Sequence, residues 1–223
     1  MKQKSRPVSF FENLRKKLLR DNREIEVLDL GAGSHHHSGT KRKIANIART
    51  SLTTPKFSTF YQRIIAYYNV KNSIELGTSL GINTLYLASK DNTHVTTFEG
   101  SKAIAENAGF TFAFAKAKNI TLIEGDINTT LPTFLQTSGK IDLAFIDANH
   151  RHDPTLHYFD WILGKTHTQS IIILDDIHYS KEMEKAWTQI KNHPLVYASA
   201  DLYRCGIVFF DPSLNKQHVV LQF

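Results

Sequence analysis

A short apolar run that breaks into glycine, Ser73-Ile74-Glu75-Leu76-Gly77-Thr78-Ser79-Leu80-Gly81, constrains the fold of this chain more than any other stretch. It reads as a buried strand, a tight turn and a helix opening at Ile82. Glycine suits a turn whose backbone N–H groups must approach a ligand with no Cβ in the way. A second strand over 94–98 ends in Glu99, and an acid about twenty residues after such a loop accepts hydrogen bonds from ribose hydroxyls in doubly wound sheets. Ile120–Asp126 and Ile141–Asp147 each run another apolar strand into an aspartate. Each feature alone has a plain reading: helix–sheet packing for the glycines, a solvated turn acid for Glu99, a helix N-cap for Asp126. Those readings do not predict a common location. A bound cofactor does, because ligands of open α/β sheets sit at the carboxyl edge of the strands.

Periodicity supplies the rest. Residues 1–23 and 41–49 read as helices, with a strand at 25–30 between them. Pro55 breaks the chain before a helix over 57–68. From Ser73 onward, strands at 73–76, 94–98, 120–123, 141–146 and 170–174 alternate with helices, which implies right-handed crossovers and a mainly parallel sheet. Residues 195–200 and 205–210 are too close for an intervening helix and should pair as an antiparallel hairpin, and 217–223 offers a last edge strand. The expected architecture is α/β, Rossmann-like and doubly wound: a mainly parallel seven-stranded sheet with a C-terminal antiparallel hairpin and an N-terminal helical cap. Residues 1–70 would form the cap or lid and 71–223 the cofactor-binding domain.

The 223 residues are 41% hydrophobic and 22% charged, ordinary for a soluble globular protein. No apolar stretch reaches the length of a membrane span, and the first residues lack the apolar core of a signal peptide, so a cytoplasmic protein without membrane contact is expected. The single cysteine, Cys205, rules out an internal disulfide and reads as a small core residue. A net charge of +6 raises the question of nucleic acid. Arg15-Lys16-Lys17 and Arg20 lie beside Phe10, Phe11, Leu14, Leu18 and Leu19, as on the wet face of an amphipathic helix. The Lys41-Arg42-Lys43 cluster, next to His35–His37 and a glycine turn, is the candidate contact for an anionic substrate.

In these residues the chain resembles the class I S-adenosylmethionine-dependent methyltransferases. The loop Glu75–Gly81 looks like their first motif, Glu99 like the acid that holds the cofactor ribose, Gly125-Asp126 like the segment lining the adenine, and Asp147 like the fourth-motif acid near the reacting end. The resemblance spans residues 50 to 210. It implies S-adenosyl-L-methionine as cofactor, with contacts from Glu75, Gly77, Thr78, Ser79, Gly81, Asn83, Thr84, Glu99, Gly100, Ser101, Gly125, Asp126, Ile127 and Asp147. A competing loop, Glu26-Val-Leu-Asp-Leu-Gly-Ala-Gly-Ser34, looks even more like a first motif. No strand ending in an acid follows it at the required distance, so Gly31–Gly33 and His35–His37 are left to structure or substrate.

Two later clusters bear the chemistry. Phe145–Pro154 opens a buried strand into a loop with Asp147, His150 and His152, and Ile171–His178 ends another strand in Asp175-Asp176. Neighbouring strand ends face one crevice, so Asp147, Asp175 and Asp176 form a candidate oxygen set for Mg²⁺ or Mn²⁺. The alternative is that the acid pair caps the helix near Lys181, and the sequence leaves the two open. The pattern resembles the metal-dependent catechol and caffeoyl-coenzyme A O-methyltransferases, including Ser51–Pro55 through Phe60. It departs from them where His150 replaces a lysine and Asp176 an asparagine. The expected function is O-methylation of a small-molecule hydroxyl, with His150 removing the proton beside Asp147. The alternatives are a nucleic-acid methyltransferase, which lacks its Asn/Asp-Pro-Pro-aromatic motif here, and a non-catalytic nucleotide-binding protein on the same scaffold. A nicotinamide oxidoreductase lacks its Gly-x-Gly-x-x-Gly. The expected partner is a small-molecule acceptor rather than nucleic acid, with monomer and homodimer both open.

Overall fold

The computed structural model describes residues 8–27 and 40–222. Its centre is an eight-stranded sheet ordered β10-β8-β9-β7-β6-β3-β4-β5. The strands are β3 (Asn72–Leu76), β4 (His94–Glu99), β5 (Ile120–Glu124), β6 (Leu143–Ile146), β7 (Ile171–Asp175), β8 (Ala198–Asp201), β9 (Cys205–Phe209) and β10 (Gln217–Val220). β3 pairs in parallel with both β4 and β6, so the chain winds outward in one direction through β4 and β5, then reverses through β6 and β7. The crevice between β3 and β6 is the switch point where such sheets bind ligands. β9 runs antiparallel to both β7 and β8, the expected hairpin, and β10 adds an eighth strand parallel to β8 where seven and an optional edge were expected.

The inner strands are buried on both faces because helices cover both sides of the sheet. Leu143–Ile146 is buried at every position. On one side lie α6 (Ile127–Thr137), α7 (His152–Leu163) and α8 (Lys181–Lys191), whose Leu131, Tyr158, Phe159 and Trp187 pack on Ile74, Phe98, Ile146 and Leu174. On the other, α3 (Pro55–Tyr67) inserts Tyr61 and Ile65 against Phe145, Ile173 and Ile207. Cys205 is in this second cluster, fully buried, and burial pushes its thiol up to about 12, as suits an inert core residue. Full burial of each such side chain is worth ~1.5–3 kcal/mol. α4 (Ile82–Leu87) and α5 (Lys102–Phe114) share a third cluster with α1 (Val8–Leu18) through Phe11, Tyr86 and Phe112.

The N-terminal part departs from the sequence reading in three places. The expected helix over 41–49 begins later: Thr40–Lys43 is a strand, β2, and α2 spans Ile44–Ser51. β2 pairs antiparallel with β1 (Glu24–Val27), setting Glu24 opposite Lys43 and Glu26 opposite Lys41. Opposite charges facing across a ladder stabilise a strand that has no apolar periodicity of its own. Of the expected first helix, α1 covers 8–18. Arg15 is not on its wet face but buried, paired with Glu12 at 3.0 Å, and Glu12 also accepts a hydrogen bond from Tyr86. Gly31–Gly33, His35–His37 and the remainder of the strand expected at 25–30 lie outside the described residues.

Candidate active site

The turn after β3 is held from beneath. Glu75 is fully buried and accepts hydrogen bonds from Asn83 Nδ2 at 3.0 Å, Thr84 Oγ1, and Thr97 Oγ1 at 2.7 Å. Thr78 Oγ1 and Thr97 Oγ1 share a further bond of 2.6 Å. Gly77 is at φ +94°, and a Cβ there would come within 2.1 Å of the Asp147 carbonyl oxygen. Gly81 opens α4 at φ +80°, against the ring of Phe112. Burial pushes Glu75 up to about 7, its three hydrogen bonds opposing the shift.

Above this turn a cleft of about 320 Å³ runs along the carboxyl ends of the strands. It brings together Gly77, Ser79, Glu99, Gly100, Ser101, Asp126, Ile127, Asp147 and His150. Glu75, Thr78, Gly81, Asn83, Thr84 and Gly125, also expected as cofactor contacts, are not on its wall. They build and brace the loop instead, and the reason is strand alternation and burial. Glu99 accepts the backbone N–H of Ser79 through Oε2 at 2.9 Å and that of Ser101 through Oε1 at 3.0 Å. Asp126 both faces the cleft and caps α6, accepting from Asn128 N, so its two readings are compatible.

The sequence reading places a cap or lid in residues 1–70 but names only the basic cluster there as a contact. Val27, Arg42, Ile47, Thr50 and Ser51, from β1, β2 and α2, line the cleft, and Ser51 Oγ lies 2.7 Å from Ser79 Oγ. Of the basic cluster at 41–43, Arg42 reaches the wall, whereas Lys41 and Lys43 stand opposite glutamates in the hairpin.

At the reacting end, Asp147 follows β6 and its N–H donates to the Leu76 carbonyl, so the chain leaves the sheet at the switch point. His150 Nε2 lies 3.5 Å from Asp147 Oδ1. Ser79, Asn149, His150 and Asp176 all have positive φ and all line the cleft. Left-handed non-glycine residues are costly and gather where surrounding structure holds a functional geometry in place. His152 is elsewhere, bonded to Asp153 at 2.6 Å.

Asp175 and Asp176 part company. Asp175 ends β7 with no exposure, accepting from Arg204 Nη2 at 2.7 Å and Tyr61 OH at 3.4 Å. Asp176, at φ +53°, turns the other way onto the cleft. Successive strand residues face opposite sides, so the expected ligand set Asp147, Asp175 and Asp176 does not assemble. The potential ligand atoms that converge, within 4.8 Å of one another, belong to Asp147, His150 and Asp176. The acid pair does not cap α8 either; Ser180 does. Arg204, in the link between β8 and β9, went unrecognised. A signal existed: pairing β9 with β7 sets Cys205 opposite Asp175, which brings Arg204 beside the acids.

Burial, reinforced by Asp175 and Asp176, holds the Asp147 carboxyl well above the usual range. Burial also raises Asp175 to about 6 despite Arg204. His150 is lowered by burial, which outweighs the attraction of Asp176. A neutral imidazole beside a carboxyl that favours its proton is an arrangement suited to moving one proton.

Residues 74–177 match the model of a family described as a methyltransferase domain. No curated protein matches the chain. Among solved structures, it resembles the O-methyltransferase of Bacillus cereus in complex with SAH (TM-score 0.63, 20% identity, covering 72% of this chain and 83% of that one). It also resembles the O-methyltransferase TomG of Streptomyces achromogenes, involved in tomaymycin synthesis and solved with SAM (0.65, 16%, 72% and 82%). A third is a Staphylococcus aureus protein provisionally named a caffeoyl-CoA O-methyltransferase (0.66, 20%, 74% and 88%). Residues 74–177 are thus similar to a methyltransferase domain, and the chain shares the fold of these structures.

Proposed function

We propose that this protein is an S-adenosylmethionine-dependent methyltransferase acting on a hydroxyl group of a small molecule. One observation carries the reading: a single cleft holds Glu99 and the Gly77–Ser79 turn together with the Asp147–His150 pair. The chain's residues fit the cofactor. Glu99 presents a carboxylate to the cleft where ribose hydroxyls would sit, Phe98, Ile104 and Ile127 offer apolar surface to a flat base, and Gly77 leaves backbone uncovered. The volume is within the range of small-ligand sites.

When bound, the cofactor supplies an electrophilic methyl group on sulfur. His150, neutral near pH 7, accepts the proton of the acceptor hydroxyl, and Asp147 holds the imidazole in place. The walls of the cleft would orient the acceptor oxygen toward that methyl group, a contribution chiefly of positioning. Asp147, His150 and Asp176 are the side chains that would hold a divalent cation, but a cation there would engage the imidazole that the proton transfer requires. None of these steps needs it.

The test is transfer of a labelled methyl group from S-adenosylmethionine to a panel of hydroxylated aromatic and aliphatic compounds. Label on oxygen is expected, with His150→Ala slower by about 10²–10⁴. Label entering RNA would return the nucleic-acid reading, and an undiminished His150→Ala rate would remove the base.

A further inference from the structure

We propose that Arg204 is the resident cation of this site and that methyl transfer here proceeds without a divalent metal ion. The proposal rests on the methyltransferase reading above. Arg204 Nη2 is 2.7 Å from Asp175 Oδ2 and 3.8 Å from Asp176 Oδ1, and its guanidinium carbon lies 5.9 Å from the centre of the Phe57 ring. With Tyr61 on Oδ1 and Arg204 on Oδ2, both oxygens of Asp175 are engaged. That acid is unavailable to complete a three-carboxylate cage.

An ion held by Asp147, His150 and Asp176 would have the guanidinium as a close neighbour of like sign, in a half-buried setting where such repulsion is weakly screened. Arginine keeps its charge throughout the range of pH in which the protein is folded. Arg204 also lines the cleft, and its Nε–H is buried with no partner among the described residues. It thus offers fixed positive charge, and a spare donor, next to the place where an acceptor oxygen loses its proton. Those are the services a bound cation would provide.

The experiment compares Mn²⁺ binding, by calorimetry and by electron paramagnetic resonance, in the wild type, Arg204→Lys, Arg204→Met and the double variant Arg204→Met/Asp175→Asn. Turnover in strong chelator is measured alongside. The wild type and Arg204→Lys should bind Mn²⁺ no tighter than millimolar, and wild-type turnover should not change on chelation. Arg204→Met should bind Mn²⁺ at least about tenfold tighter, because the guanidinium no longer repels the ion and the Asp175 charge is left unneutralised near Asp147, His150 and Asp176. The double variant should lose that gain. Micromolar Mn²⁺ binding by the wild type, with activity lost on chelation and restored by Mn²⁺, would overturn the proposal. So would an Arg204→Met protein that binds S-adenosylmethionine normally yet gains no affinity for Mn²⁺. Should Arg204→Met not fold, the wild-type titration and Arg204→Lys still decide. Failure of the methyltransferase reading would show separately, as absence of cofactor binding with the Mn²⁺ results intact.

Discussion

Glu75 has no solvent exposure, and its carboxylate is surrounded by Asn83, Thr84 and Thr97 as donors. Its value of about 7 lies above the 4.5 of an unfolded chain, burial being the main cause. The folded state therefore holds this proton more tightly than the unfolded one. The associated stability is fully present below about 4.5 and is lost as pH rises through about 7. The effect is on the order of 3 kcal/mol. Glu75→Gln should flatten the fall in denaturant midpoint across that window, and parallel curves for the two proteins would contradict the assignment. A sequence motif could name Glu75, Thr78, Asn83 and Thr84 as a group, but not which atoms face a ligand. Their partners come from α4 and β4, and only the assembled turn shows that they support the loop from below. Asp175 is the same lesson in reverse, paired by an arginine 29 positions away.

The inner strands β3, β4, β6 and β7 are legible because their runs are largely buried and end in glycine or acid. β2 is not, since Thr40–Lys43 is exposed at all four positions and owes its strand form to the glutamates opposite. Charge reversal by Glu24→Lys with Glu26→Lys should loosen this hairpin, weakening cofactor affinity while leaving the unfolding midpoint of the sheet nearly unchanged. A titration and a melt together measure both, and a variant with wild-type affinity would show that the hairpin plays no part in the cleft. Gly77 ties two elements, because its bare backbone meets the end of β6. Gly77→Val at φ +94° should cost at least about 1–3 kcal/mol from backbone strain alone, with the clash at Asp147 in addition. Denaturation at wild-type stability would mean the loop relaxes without that contact.

Across the whole molecule, the strand order is what makes one cleft out of five strand ends: reversal at β3–β6 leaves a crevice that no crossover covers. The alternation of strands and helices anticipates a mainly parallel, doubly wound sheet ending in a hairpin, though not the order of its strands. The N-terminal elements that roof the cleft carry no motif, so their place could be known only from packing. Among the described residues no helix is long and apolar enough to cross a membrane. A ligand that binds only this folded crevice must stabilise the entire domain, by about 2.7 kcal/mol at a hundred times its dissociation constant. Calorimetric titration of S-adenosylmethionine into the wild type and Glu99→Ala tests the central claim most directly. Binding at one site per chain is expected, weakened by about ten- to a hundredfold in the variant, the equivalent of charge-assisted hydrogen bonds to the ribose. No binding by the wild type up to millimolar concentration, or equal binding by both proteins, would contradict it.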